Sequence, residues 1–175
     1  MLKIVAAVIV VVIAGVLIFA ATRPDTFRVE RSAGIKAPPE KIFPLINDLR
    51  SWRTWSPWEK KDPGMKRTYN SITSGKGASY GWEGNSDVGQ GGMEITESVP
   101  SSKIAMKLDF IKPFEGHNTV VFALEPQGEM TNVTWTMEGP TPYFAKIIHV
   151  FLDMDKMVGG DFEAGLANLK AVAEK

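Results

Sequence analysis

Hydrophobic and polar residues follow three rhythms in turn along the chain, and each rhythm predicts a different kind of element. From Ile4 to Ala21 the sequence is an unbroken apolar run interrupted by nothing more polar than Gly15. As a helix rising about 1.5 Å per residue it is just long enough for a bilayer core of roughly 30 Å. It predicts a transmembrane anchor over residues 1–22, with 23–26 as a polar junction and 27–175 as one domain. A cleaved signal peptide is the rival reading, weakened by the length of the apolar run and by a poor cleavage site at Ala20-Ala21-Thr22. Lys3 competes with Arg23, Arg28 and Arg31 for the positive side, so either orientation is open.

The second rhythm has period two. Phe27, Val29, Ala33 and Ile35 alternate with polar residues, as a half-buried strand requires. The strand ends at Ala37-Pro38-Pro39, which with Glu40 makes a helix start, and Ile42, Phe43, Leu45, Ile46 and Leu49 supply its apolar stripe. Trp52, Trp55 and Trp58 then recur every third residue, with Pro57 interrupting any helix between the last two. Alternation resumes at Met65, Arg67 and Tyr69 and continues through Ala78, Tyr80, Trp82; Met93, Ile95, Val99; Ile104, Met106, Leu108, Phe110; Val120, Phe122, Leu124; and Val133, Trp135, Met137. Short turns rich in glycine, proline and polar residues separate these runs, which predicts an antiparallel meander with one buried face.

The third rhythm begins after Gly139-Pro140-Thr141-Pro142. From Tyr143, apolar residues at Ile147, Phe151, Met154, Val158, Phe162, Leu166, Leu169 and Ala173 keep helical phase to the C-terminus. The expectation is one long helix, kinked at Gly159-Gly160, where Asp161 could cap a second segment. Only this helix is long enough to cover the sheet, so the fold class is α+β with Tyr80, Trp82, Phe110, Phe122, Trp135, Phe151 and Met154 enclosed between the two.

The strand, the Ala37-Pro38-Pro39-Glu40 helix start and the Trp52, Trp55, Pro57, Trp58 pattern resemble the opening of the SRPBCC superfamily, whose START and birch-pollen-allergen-like members have a helix-grip fold. The likeness is to its polyketide cyclase/dehydrase and lipid-transport-like branch. It continues through Gly77-Ala78-Ser79-Tyr80-Gly81-Trp82, Ile104 to Phe110, Thr131 to Trp135 and Asp161 to Leu166. The resemblance implies about seven strands gripping a long helix around a cavity, with two short helices after the first strand. Alternation alone gives a buried face; the hollow comes from the resemblance.

Composition narrows the chemistry. Of the 175 residues, 20 are lysine or arginine and 20 aspartate or glutamate, so no basic excess exists to neutralise phosphates and nucleic acid is not expected as a partner. Without cysteine there is no thiolate nucleophile and no disulfide. Gly77-Ala78-Ser79-Tyr80-Gly81 spells a serine-hydrolase elbow but lies within a strand pattern with no following helix. His117 and His149 make no metal spacing, and no metal or cofactor is expected. Most acids fall on strand faces opposite the apolar set, which counts against catalysis. Met93, Met106, Met137, Met154 and Met157 fit an adaptable apolar wall.

These readings lead to a membrane-anchored binding module for a hydrophobic or amphipathic small molecule or lipid, with transport as an extension. The ligand-contacting candidates are Trp55, Trp58, Tyr80, Trp82, Phe110, Phe122, Trp135, Phe151 and Met154. The alternative is a polyketide cyclase or dehydratase-like enzyme using the same cavity, and a third reading is a protein-interaction module of the co-chaperone type.

Overall fold

The computed structural model describes residues 1–175. Helix α1, Leu2–Ala21, projects from the rest of the chain with Ala20 its one buried residue. A polar junction leads into strand β1, Thr26–Ile35, which is followed by α2, Pro39–Asn47, a 3-10 turn at Ser51–Thr54 and α3, Pro57–Lys61. Strands β2 (Lys66–Tyr69), β3 (Ser79–Glu83), β4 (Gln90–Val99), β5 (Lys103–Lys112), β6 (Gly116–Gln127) and β7 (Met130–Pro140) complete an antiparallel sheet of order β1-β7-β6-β5-β4-β3-β2. Helices α4, Tyr143–Phe151, and α5, Met154–Ala173, close the chain. This is the helix-grip architecture that the alternation and the resemblance together predict.

Prolines start both short helices. Pro39 and Pro57 occupy the first helical turn, where a missing amide hydrogen costs nothing, and Glu40 and Glu59 follow in the same turn. Carbonyls left free in the last turn of α2 are taken by tryptophans: Trp52 Nε1 donates to Ile46 O at 2.8 Å and Trp55 Nε1 to Leu45 O at 2.8 Å. Two of the three tryptophans are thereby fixed as core, and Trp55 is 1% exposed.

The C-terminal helix departs from expectation. It breaks at Leu152-Asp153 rather than bending at Gly159-Gly160, and the Asp153 side chain accepts the Lys156 N–H at 3.1 Å as the cap of α5. Gly159 has another use. Arg31 lies on the inner side of β1 and crosses to α5, where Nε meets Glu163 Oε1 at 2.7 Å and Nη2 meets Asp155 Oδ2 at 2.9 Å. A Cβ on Gly159 would stand 2.1 Å from Arg31 Nη2, so the missing side chain makes room for the guanidinium while the helix runs on unbroken.

A second departure lies in β4. The register shifts between Ile95 and Glu97, a bulge that reverses the inward phase, so Val99 is 41% exposed while Ser98 turns in to bond Asn47 at 2.8 Å.

Candidate functional site: a cavity between the sheet and α5

The inner face of the sheet and the N-terminal half of α5 do not meet everywhere. Between them lies a cavity of about 230 Å³. Tyr80 and Trp82 of β3, Leu108 and Phe110 of β5, Val120 of β6, and Trp135 and Met137 of β7 supply its sheet wall. Trp52, Trp58, Glu59, Val158 and Phe162 come from the helical side.

Aromatic rings set its shape. Trp135 stacks on Phe162 with centroids 4.1 Å apart and planes 9° from parallel, and Trp58 meets Trp135 edge-on at 5.7 Å. The close approach of helix and sheet here depends on Gly165, whose added Cβ would lie 2.7 Å from Trp135 Cζ3. On the other side Tyr80 stacks between Tyr69, at 5.0 Å, and Trp82, at 6.0 Å.

The polar groups are few and unequally satisfied. Trp52, Trp55 and Trp82 each donate their indole N–H to a backbone carbonyl, Trp82 to Val88 O at 3.0 Å. Trp135, 2% exposed, has a buried indole N–H with no partner. Such a donor costs about 1–3 kcal/mol when left unmade. Tyr80 is 7% exposed, and its hydroxyl has only Met65 Sδ at 4.0 Å. Burial, reinforced by the Glu59 charge, pushes the Tyr80 phenol well above its ordinary value, so it keeps its proton and remains a donor at neutral pH.

Glu59 is the charged member of the wall. Arg67, on the inner side of β2, holds it through Nε contacts of 3.1 and 3.0 Å and a further bond from Nη2. Both side chains are nearly buried, 10% exposed for Glu59 and 13% or less for either, and the pairing raises Arg67 above its usual value. The carboxyl group thus sits at the edge of an apolar chamber, beside a protonated phenol.

Of the residues singled out by sequence, Trp58, Tyr80, Trp82, Phe110 and Trp135 line this cavity. Trp55 and Phe122, at 1% and 0% exposure, instead pack beneath it, in edge-on contact at 6.1 Å. Phe151 and Met154 are not part of it. The break after α4 swings them outward, Phe151 to 72% exposure, and they border a broader surface groove of about 450 Å³ beside Arg23, Lys146 and Asp153. The chamber is also smaller than the several hundred Å³ usual for small ligands. Trp52, Glu59, Met65 and Phe162 were missed as lining residues. Met65 and Phe162 were legible as inward positions of a strand-like run and of the helical stripe; Glu59 carries no sequence signal beyond its place in a helix start.

Residues 26–174 match the family model described as polyketide cyclase / dehydrase and lipid transport. No curated protein matches the chain. Among solved structures, a protein from Chromobacterium violaceum superposes with a TM-score of 0.61 at 18% identity, covering 87% of this chain and 99% of that one. The Aha1 dimer from Colwellia psychrerythraea gives 0.61 at 19% identity, over 85% and 96%. DynU16, a protein of the dynemicin biosynthetic locus, gives 0.60 at 15% identity, over 87% of this chain and 48% of its own. At these identities the likeness is one of fold.

Proposed function

The chain belongs to the polyketide cyclase/dehydrase and lipid transport family, and from that membership and the cavity we propose a membrane-anchored binding module whose ligand is a small hydrophobic or amphipathic molecule held between the sheet and α5. The observation that carries this reading is the pairing of an aromatic, methionine-lined chamber with an unpartnered buried donor, the Trp135 N–H. An apolar ligand body would fill the chamber, and an acceptor such as a carbonyl or hydroxyl oxygen would relieve that donor. At about 230 Å³ the space suits one ring system or a short acyl segment rather than a whole phospholipid. The anchor is α1, a helix of 20 residues that is apolar and, Ala20 apart, not buried in the domain.

Glu59 favours a second reading, turnover in the same chamber. A buried carboxylate beside a protonated phenol is the equipment for moving a proton on a bound ligand. Its pairing with Arg67 works against that role, because both carboxylate oxygens are already engaged by the guanidinium. The third reading, a co-chaperone-type interaction module, draws on nothing in the cavity.

Binding is tested with the full chain in phosphatidylcholine nanodiscs and a hydrophobic fluorophore excited by energy transfer from the cavity tryptophans. Saturable transfer, lost in a folded Val120→Phe protein and kept in Phe151→Ser, is the expected result. Equal transfer in both variants would place the fluorophore elsewhere.

A further inference from the structure

Helix α4 is inside out for a surface helix in water. Its buried residue is Lys146, whose Nζ reaches Asp25 Oδ1 of the junction at 2.5 Å. Phe144, Ile148 and Phe151 share the opposite face, and the two phenylalanines are 64% and 72% exposed. An amphipathic helix with its stripe turned away from the core calls for an apolar neighbour outside the domain. Part of that neighbour belongs to the chain itself: α4 packs against α1, and Tyr143 Oη donates to Leu17 O at 2.9 Å.

The depth of this contact is informative. Leu17 lies four residues before the end of α1 at Ala21, about 6 Å along a helix rising 1.5 Å per residue. Amphipathic helices lying in a bilayer interface bury their apolar faces about 5–10 Å deep. If α1 spans the bilayer, α4 sits at the level of the interface, tied there by Tyr143 and by Lys146–Asp25.

The apolar face continues onto the sheet. Phe114, 65% exposed in the β5–β6 turn, places its ring 6.4 Å from Phe144, and Ile111, near the end of β5, is 59% exposed. Antiparallel register puts this turn at the end of the sheet where the anchor enters: Thr26 pairs with Pro140, Phe110 with Gly116, and Gln90 with Lys112. The cavity reaches its surface at the same end, through Asp87 of the β3–β4 turn, Lys112 at the end of β5 and Pro113 of the β5–β6 turn.

We propose that α4 and the β5–β6 turn rest in the lipid–water interface of the bilayer that α1 spans, with Phe114, Phe144 and Phe151 inserted and the cavity opening toward the membrane. The occupant of this face is lipid. Insertion rests on apolar side chains rather than on a cationic patch, so neutral phosphatidylcholine suffices and salt has little effect. The proposal rests on the reading of α1 as a membrane span, and it makes the bilayer the source from which the cavity would be filled.

The chain has no cysteine, so each introduced one is unique. Four full-length proteins, Val11→Cys, Phe114→Cys, Phe144→Cys and Glu129→Cys, are spin-labelled and reconstituted into phosphatidylcholine vesicles. Collision rates are measured with oxygen, which concentrates in lipid, and with an aqueous nickel chelate. Labels at 114 and 144 should lose most of their chelate collisions and gain oxygen collisions relative to 129, as the mid-span label at 11 does. Burial against protein would lower both rates, so that outcome counts against the proposal. Chelate exposure at 114 and 144 equal to that at 129, with 11 in lipid, overturns the docking and leaves the span standing. Exposure at 11 as well overturns both.

Discussion

Replacing Trp135 with alanine should cost the domain far more than replacing Trp58, although both rings line the same cavity. Trp135 is 2% exposed, lies flat on Phe162 at 4.1 Å, and touches Trp58 at 5.7 Å and Phe122 at 4.7 Å. Truncating a buried indole in such a setting costs about 3–5 kcal/mol, because the transfer energy and a cavity penalty add. No hydrogen bond is lost, since its N–H has no partner. Trp58 is only partly buried and meets its neighbours at ring edges, so about 1–2 kcal/mol is expected there. Against a typical stability of about 5–15 kcal/mol, the first loss is large and the second tolerable. Trp135→Phe separates ring from donor: it keeps part of the stacking surface on Phe162 and removes the unpartnered N–H, so it should cost less than the alanine change. Denaturant midpoints of the three variants, compared at unchanged slope, measure the differences. Equal midpoints for the two alanine variants would refute the packing argument, and Trp135→Phe as damaging as alanine would mean that the N–H has a partner.

Gly159→Val should destabilise by on the order of 1–3 kcal/mol, because its Cβ would displace the Arg31 guanidinium, and combining it with Arg31→Ala should recover part of the loss in unfolding midpoint. The two histidines should titrate on opposite sides of 6.5 by NMR: His117 higher, because Asp109 bonds its Nδ1 at 2.6 Å, and His149 lower, because burial and the nearby Arg23 disfavour its charge. The His117 contribution to stability is present below about pH 6.5 and lost as pH rises through its raised folded value; Asp109→Asn should bring His117 back toward 6.5. A chain beginning at Asp25 keeps the partner of Lys146 and every element after α1, so it should unfold in one cooperative transition and still bind phosphatidylcholine vesicles through α4.

Much of the fold was legible because the strands keep a strict period. Val133, Trp135 and Met137, or Ile104 and Met106, face inward as alternation requires. The rule failed at Val99, where one bulge reverses the phase; a bulge leaves no mark on hydropathy unless a glycine announces it. It also failed at Phe151 and Met154. Their stripe runs in phase from α4 into α5, and amphipathicity reports that a face has an apolar neighbour without naming it. For α5 the neighbour is the sheet; for α4 it includes α1. The cavity wall was half legible. Inward aromatics were found by parity, but parity cannot distinguish Trp135, which borders the hollow, from Phe122, which packs beneath it. Glu59 was hidden because its burial depends on Arg67, a residue that the pattern places on the inner face and that chemistry alone would place outside.

The most direct measurement is of what the chamber holds. The full chain and its Val120→Phe variant, in which a phenyl group fills the cavity, are purified side by side in the same mild detergent, and extracted small molecules are identified and quantified by mass spectrometry. An apolar compound bearing a hydrogen-bond acceptor is expected at near one equivalent per chain in the unaltered protein and depleted in the variant. No enriched compound in the unaltered protein, or equal amounts in both, would contradict binding in the chamber.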